Sequence, residues 1–313
     1  MPAKPVIVLT GPTAVGKTSL SIRLAKELDA EIISSDSRQI YRELTIGTAK
    51  PSPAELRSVP HHLIDQLHLT QPYSAGIFAR EATRLIDEIH GRGKLPLVVG
   101  GSTLYLHALQ FGLAEIPAID RSVRLELQKR LAAEGLETLY QELMTLDPQT
   151  ARSLDPYNTQ RILRGLEVYY GTGTPLSYFY ESSPSASKYR FLTCVLHRDR
   201  KELYSRINVR VDEMFASGFE EEVKGIMDSG IKLDTLVLKT IGYKEMIAHF
   251  LGHLSSTDVS RLIKRNTRRY AKRQITWFKR YPTYQWIDAN EDNEILMRIL
   301  MLQINNFIYH NLK

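Results

Sequence analysis

The stretch Gly11-Pro12-Thr13-Ala14-Val15-Gly16-Lys17-Thr18 meets the phosphate-loop template G-x-x-x-x-G-K-[ST] at every fixed position. In such a loop successive backbone N–H groups turn inward, and the following helix N-terminus adds partial positive charge. Together they cradle a di- or triphosphate. Lys17 would meet the terminal phosphate oxygens and Thr18 would ligate Mg²⁺. The apolar run Val6-Ile7-Val8-Leu9 precedes the loop, and a helical repeat of Leu20, Leu24, Ala25 and Leu28 follows it. A chance match in a surface turn would lack that strand–loop–helix setting. The loop by itself serves kinases, NTPase motors, switches and group transferases alike.

Asp36 is the second candidate for chemistry. It closes the strand-like run Glu31–Ser35, expected to lie beside the phosphate-loop strand, where its carboxylate would overlook the bound phosphate. The competing role is a turn cap, because Asp before Ser is a common turn former. A motor or hydrolase normally needs an acid at the end of a second buried strand. The most apolar later run, Leu97-Val98-Val99, ends instead in Gly100-Gly101-Ser102-Thr103. Asp87 and Glu88 follow helical spacing and read as a solvated face, and the Asn-Lys-x-Asp base-reading motif is absent.

These residues need a scaffold. Strand-like runs at 6–9, 31–35 and 95–99 alternate with helix-period segments at 75–90 and from Leu104 onward. That alternation predicts βαβ units. The expected fold class is α/β: a P-loop NTPase-like parallel sheet flanked by helices, with a mostly helical insertion domain. Residues 1–115 would form the first part of the core and 116–189 the insertion. Residues 190–313 would complete the core and carry a basic helix. The Ser-rich link Ser182–Ser187 leads to Phe191–Leu196, which reads as a strand returning to the sheet. Ile295–Leu312 is amphipathic and reads as a helix docked on the body, the alternatives being a membrane or partner surface.

The chain has 313 residues, net charge +6 and one cysteine, Cys194, so no internal disulfide or Cys-based zinc cluster is available. With no secretory signal pattern and no apolar run long enough to span a bilayer, a soluble cytoplasmic protein is expected. The positive charge is concentrated. Residues 261–281 hold nine Lys/Arg and no acid, leaving the remainder at −3. A dedicated polyanion contact follows.

The segments GPTAVGKT, DSRQIYRELTIGTAKP, PHHLID, VGGSTLYL, NTQRILRGLEVY, IGYKE and TRRYAKRQITWF, in this order, closely resemble the tRNA dimethylallyltransferase (tRNA isopentenyltransferase) family. They run from residue 11 to residue 278. The resemblance implies transfer of a dimethylallyl group from dimethylallyl diphosphate to the N6 amine of the adenosine 3′-adjacent to the anticodon. It also implies Mg²⁺ as cofactor and tRNA as partner. The phosphate loop would then hold a diphosphate that leaves, with catalysis lying in stabilisation of the leaving charge. Arg206 and Arg210, four residues apart on one helix face, are the candidates to supply that charge. Their alternative is a solvated face paired with Glu202 or Asp212. Asp36 would accept the amine proton, and Thr13 would orient the amine or the diphosphate. No Asp-rich D-D-x-x-D prenyl-synthase motif is present.

A base in a tRNA loop must be splayed out to be reached. Arg261, Lys264, Arg265, Arg268, Arg269, Lys272 and Arg273 form a helical stripe suited to RNA phosphates, with Ile263, Tyr270, Ile275 and Phe278 largely on another. A membrane-surface helix or a solvated face are the alternatives. By resemblance, tRNA contacts are also expected at Asp36, Ser37, Arg38, Gln39, Ser102, Arg124, Gln160, Arg161, Ile162, Leu163, Arg164, Lys239 and Lys244. The family's Gly-Gly-Thr is Gly-Gly-Ser here, which retains the hydroxyl at Ser102. His61-His62 read as structural or substrate-positioning residues rather than metal ligands, Trp277 and Phe278 as core or RNA-stacking. A small-molecule or nucleotide kinase is the runner-up, and a nucleotide-gated RNA-binding protein the third reading. No motif demands a dimer, so a monomer is expected.

Overall fold

The apolar runs form strands, and they pair in parallel. In this computed structural model residues 3–181, 187–233, 235 and 237–309 are described. Ser182–Ala186 of the expected link, and the end of the expected terminal segment from residue 310, lie outside them. Residues 1–110 with 187–313 make one compact unit, and residues 111–186 make another. These seams fall slightly N-terminal to the composition changes at 116 and 189.

The first unit contains β1 (Lys4–Thr10), α1 (Lys17–Glu27), β2 (Ala30–Ser34), α2 (Pro53–Ser58), β3 (His61–His62), α3 (Ala75–Gly91), β4 (Leu95–Gly100) and α4 (Thr103–Phe111). The second contains α5 (Arg121–Leu146), α6 (Pro148–Ser153), α7 (Thr159–Thr172) and α8 (Leu176–Glu181). The chain then returns to the first unit with β5 (Tyr189–His197), α9 (Arg200–Ala216), α10 (Phe219–Asp228), α11 (Tyr243–Phe250), α12 (Ser256–Phe278), β6 (Gln285–Asp288) and α13 (Asn293–Tyr309).

The six strands run in the order β3-β2-β4-β1-β5-β6, every pairing parallel. The neighbours of β1 are therefore β4 (Ile7 opposite Leu97) and β5 (Ile7 opposite Leu192). This corrects the expectation that the Asp36 strand lies beside the phosphate-loop strand, for β4 stands between them. Burial does not separate the two, since β2 and β4 are both largely buried and interior to the sheet; pairing between distant segments decides the order. β2, tied to β4 through Ser35 N–H donating to Val99 O at 2.7 Å, is displaced outward. β3 and β6, only two and four residues long, were not foreseen.

The core beneath β1 joins Ile7 and Leu9 to Leu20 and Leu24 of α1 and to Leu296, Leu300 and Ile304 of α13. The described part of the terminal segment is thus a docked helix. Asp87 and Glu88 lie in α3, paired on its surface with Lys188 and Arg84. Among the described residues no helix is long and apolar enough to cross a membrane.

In the second unit α5 breaks at Gly135 (φ 83°, ψ 167°), so its two halves pack with α6 and α7 around Leu127, Leu139, Leu143, Ala151, Ile162, Leu163 and Leu166. Asp147 fastens the turn that follows, accepting from Thr150 N–H and Ser177 N–H at 3.0 Å each.

At the outer edge of the sheet, Glu31 is 4% exposed and accepts from Arg92 (Nη2 at 2.7 Å, Nε at 3.0 Å) and pairs with His62 Nε2 at 2.7 Å. His61 Nδ1 contacts Val59 O at 2.9 Å, so both histidines are tied into the sheet edge. Arg92's hydrogen bond, helped by His62, holds the Glu31 carboxyl below its ordinary value of 4.5 despite burial. A depressed carboxyl stabilises the fold above its ordinary range, and that contribution disappears on acidification. Glu31→Gln should cost about 1–2 kcal/mol at pH 7, the lower end for a charged hydrogen bond because Arg92 is half exposed. In denaturant titrations the gap to wild type should be constant above about pH 5 and close as Glu31 protonates below it.

Candidate active site

Because every strand is parallel, β1, β2, β4 and β5 end on one side of the sheet, and their following loops meet there. The phosphate loop leaves β1 at Gly11, whose φ of 145° and position under Leu196 O exclude a side chain. A Cβ there would lie 2.5 Å from that oxygen. Ala14 adopts φ 65°, a left-handed conformation that helps turn successive N–H groups inward. Gly16 caps α1, which starts at Lys17.

The loop's outward carbonyls are capped by cations. Lys17 Nζ donates to Gly11 O (3.0 Å) and Pro12 O (2.8 Å). Arg206 Nε donates to Ala14 O at 2.9 Å, and Arg198 Nε to Val15 O at 3.0 Å. Arg210 Nη1 donates to Thr13 Oγ1 at 3.1 Å and its Nη2 to Thr48 O at 3.2 Å. Arg206 and Arg210 thus face the phosphate loop; the pairing with Glu202 or Asp212 weighed for them is not formed, and Asp212 pairs with Lys264 at 2.5 Å. Arg198, just past the tip of β5, was missed by sequence reasoning. Its only signal was a basic residue directly after a returning strand.

Asp36 combines both roles considered for it. Oδ1 accepts from Arg38 N–H at 2.8 Å and Gln39 N–H at 3.4 Å, a turn that fixes the carboxylate at the cavity wall. Ser102 Oγ accepts from Ser37 N–H at 2.9 Å, which ties the Gly-Gly-Ser loop to the Asp36 loop. Arg38 Nε reaches Thr240 Oγ1 at 2.5 Å.

Two cavities, about 690 and 340 Å³, share a wall made of Thr13, Asp36, Thr48, Arg210 and Tyr270. The larger is lined by the phosphate loop, Arg206 and Gln274. The smaller has an apolar floor of Ile207, Val211, Met214 and Ile263 and a basic rim of Arg38, Lys239, Lys244 and Arg273. Tyr270, expected among the apolar residues of its helix, stands at the junction instead. Burial, reinforced by Asp36, pushes its hydroxyl up to about 12. The wall segment Thr45–Gly47 is clamped by Glu222, which accepts from three successive N–H groups at 2.7–3.1 Å and from Tyr243 Oη at 2.6 Å.

The remaining sites divide. Arg269 and Lys272 are exposed on α12, and Arg273 is exposed over the Tyr270 ring at 5.8 Å. Arg268 is turned to α9, donating to Asn208 Oδ1 at 2.6 Å. Phe278 is core at 1% exposure, while Trp277 is half-buried with Arg280 over its ring. In the second unit Gln160 and Arg161 are exposed on α7, and Arg124 and Arg164 converge on Glu167 Oε2 at 3.4 and 3.2 Å. Ile162 and Leu163 are corrected: at 0% and 3% exposure their side chains are core of that unit, on the inward face of α7.

A parallel sheet with a cation-capped phosphate loop opening onto a second, basic-rimmed cavity defines a phosphate-loop protein with two adjoining cavities. The family model of the IPP transferases matches residues 39–281, most of the chain. A tRNA dimethylallyltransferase of Salinibacter ruber is 54% identical over 298 residues, covering 95% of this chain and 92% of the relative. A tRNA isopentenylpyrophosphate transferase from Bacillus halodurans superposes with TM-score 0.71 at 40% identity, covering 98% of this chain and 95% of that one. A eukaryotic dimethylallyltransferase acting on tRNA gives TM-score 0.83 at 30% identity, covering 98% and 80%. The chain belongs to the IPP transferase family.

Burial, with Arg210 adding and Asp36 opposing, brings the Lys17 ammonium down to about 8. Its charge is therefore largely present at pH 7 and lost progressively as pH rises through that value. Pyrophosphate affinity of the wild type, divided by that of Lys17→Arg, whose guanidinium stays charged, should fall as pH rises from 7 to 9. Calorimetric titration of both proteins measures the ratio, in which the ligand's own ionisation cancels.

Proposed function

We infer that this enzyme transfers a dimethylallyl group from dimethylallyl diphosphate to the N6 amine of the adenosine 3′-adjacent to the anticodon of a tRNA. The observation that carries the reading is the shared wall: an anion cavity and a basic-rimmed cavity meet at Asp36, Thr13, Arg210 and Tyr270. The diphosphate would lie in the larger cavity against the phosphate-loop N–H groups, Lys17, Arg198 and Arg206. The adenine would enter the smaller one, its apolar floor against the ring and its basic rim toward the RNA backbone.

The C1–O bond breaks as the C1–N6 bond forms. The electron pair leaves with the diphosphate, whose charge Lys17 and the arginines stabilise. Developing positive charge on the allylic carbon is spread by its double bond. The amine sheds its proton to Asp36, whose Oδ1 is fixed by the turn at Arg38 and Gln39. Thr13 Oγ1, oriented by Arg210, can accept from the amine at the same junction.

Among the described residues no group of three or more His, Cys, Asp or Glu side chains could hold a metal ion, so the chain's own contribution to Mg²⁺ would be the Thr18 hydroxyl on the cavity wall. Mg²⁺ would be held by Thr18 and the diphosphate oxygens, neutralising the leaving charge. RNA would be held by Arg269, Lys272, Arg273, Lys239 and Lys244, and on the second unit by Arg124, Gln160, Arg161 and Arg164. A cytoplasmic monomer is the matching setting. The kinase alternative is not favoured, since it gives no role to the basic helix.

Incubation with radiolabelled dimethylallyl diphosphate or ATP and unmodified tRNA tests the reading. Label from the isoprenoid should appear covalently in RNA. Label from ATP on a small metabolite would sink the reading in favour of a kinase, and RNA retention without label would leave only a binding protein. Asp36→Asn keeps the Oδ1 acceptor of the turn but not the base, so turnover should fall about 10²–10⁴-fold with tRNA affinity retained. A large loss of affinity would assign Asp36 to recognition.

A further inference from the structure

Gln274 lies in the middle of the most basic stretch of the chain, yet it is neutral, and it is 3% exposed. Its amide spans two loops distant in sequence. Oε1 accepts from Thr13 N–H at 2.9 Å, and Nε2 donates to Gly101 O at 2.8 Å. The partners fix which end of the amide is which, because one is a donor and the other an acceptor. The contact is tight: a Cβ on Gly101 would lie 2.5 Å from Gln274 Nε2. Thr13 is therefore gripped on its main chain by Gln274 and on its hydroxyl by Arg210.

We propose that Gln274 is a positioning residue for the transfer reaction, holding Thr13 and the Gly-Gly-Ser loop in register from the helix that bears the RNA-facing cations. The proposal rests on the prenyl-transfer reading for its activity readout. Its chemical requirement is one acceptor and one donor on a buried planar group. A carboxylate supplies only acceptors and would set a charged oxygen against Gly101 O. A protonated carboxyl, by contrast, presents C=O to Thr13 N–H and O–H to Gly101 O, reproducing the amide. Burial favours that neutral form and brings its titration toward neutral pH.

Gln274→Glu and Gln274→Met distinguish positioning from mere packing. With Gln274→Met, kcat should fall at least tenfold, with tRNA affinity within about twofold of wild type. For Gln274→Glu the activity ratio to wild type should be about a tenth or less at pH 8.5 and recover severalfold toward pH 6. The Met variant should show no such recovery. Pyrophosphate binding by calorimetry, which needs no prenyl chemistry, should show the same acid recovery in Gln274→Glu. Circular dichroism gives the folded fraction at each pH. A flat ratio, wild-type turnover in both variants, or a ratio that merely tracks the folded fraction would overturn the proposal. Failure of the wild type to prenylate RNA, with the pyrophosphate recovery intact, would sink the function and leave standing only the hold of Gln274 on the phosphate loop.

Discussion

A loop that turns its N–H groups toward a phosphate must turn carbonyls away from it, and those carbonyls need donors. Here the donors are cationic. Lys17, Arg198 and Arg206 satisfy Gly11, Pro12, Ala14 and Val15, so the groups that rigidify the loop also concentrate positive charge on it. The Nη2 atoms of Arg198 and Arg206 lie 3.8 and 3.9 Å from where a Cβ on Gly16 would stand, which places both guanidinium groups against the glycine that begins the helix. Much of the remaining architecture serves this arrangement. β5 delivers Arg198, and α9 packs on α12 while presenting Arg206 and Arg210 on its other side.

The second organising feature is that a set of polar side chains forms a partition between two cavities. Thr13, Asp36, Thr48, Arg210 and Tyr270 face both cavities. Three of them are held by other groups, Asp36 by its own turn, Thr48 O by Arg210 and Gln39, and Thr13 by Gln274 and Arg210, and Glu222 clamps the adjoining Thr45–Gly47 backbone. The polar atoms of that wall are therefore preorganised between two cavities of unlike lining.

The parts of this design that were legible in the sequence are those with local signatures. The phosphate loop, the strand runs at 6–9 and 95–99 and the caps and breaks of the helical segment depend on neighbours a few residues apart. Strand order does not, so Asp36 was placed one strand too close to β1. β3 owes its existence to Ile32 and Ile33 pairing with His61 and His62, because two residues carry no periodicity. Gln274, Arg198 and Glu222 act on backbone atoms 261, 183 and 177 positions away, a relation that no spacing rule encodes. Ile162 and Leu163 show the opposite error. A contiguous motif was carried over whole, although a helix exposes only some of its residues, here Gln160 and Arg161, with Arg164 partly exposed.

The order of these parts along the chain has a consequence during synthesis. The phosphate loop emerges first, but its guanidinium donors and Gln274 are translated only after the whole helical unit of residues 111–186. The loop's carbonyls therefore gain their guanidinium partners, and Thr13 its amide partner, only from segments that lie beyond that unit in the chain.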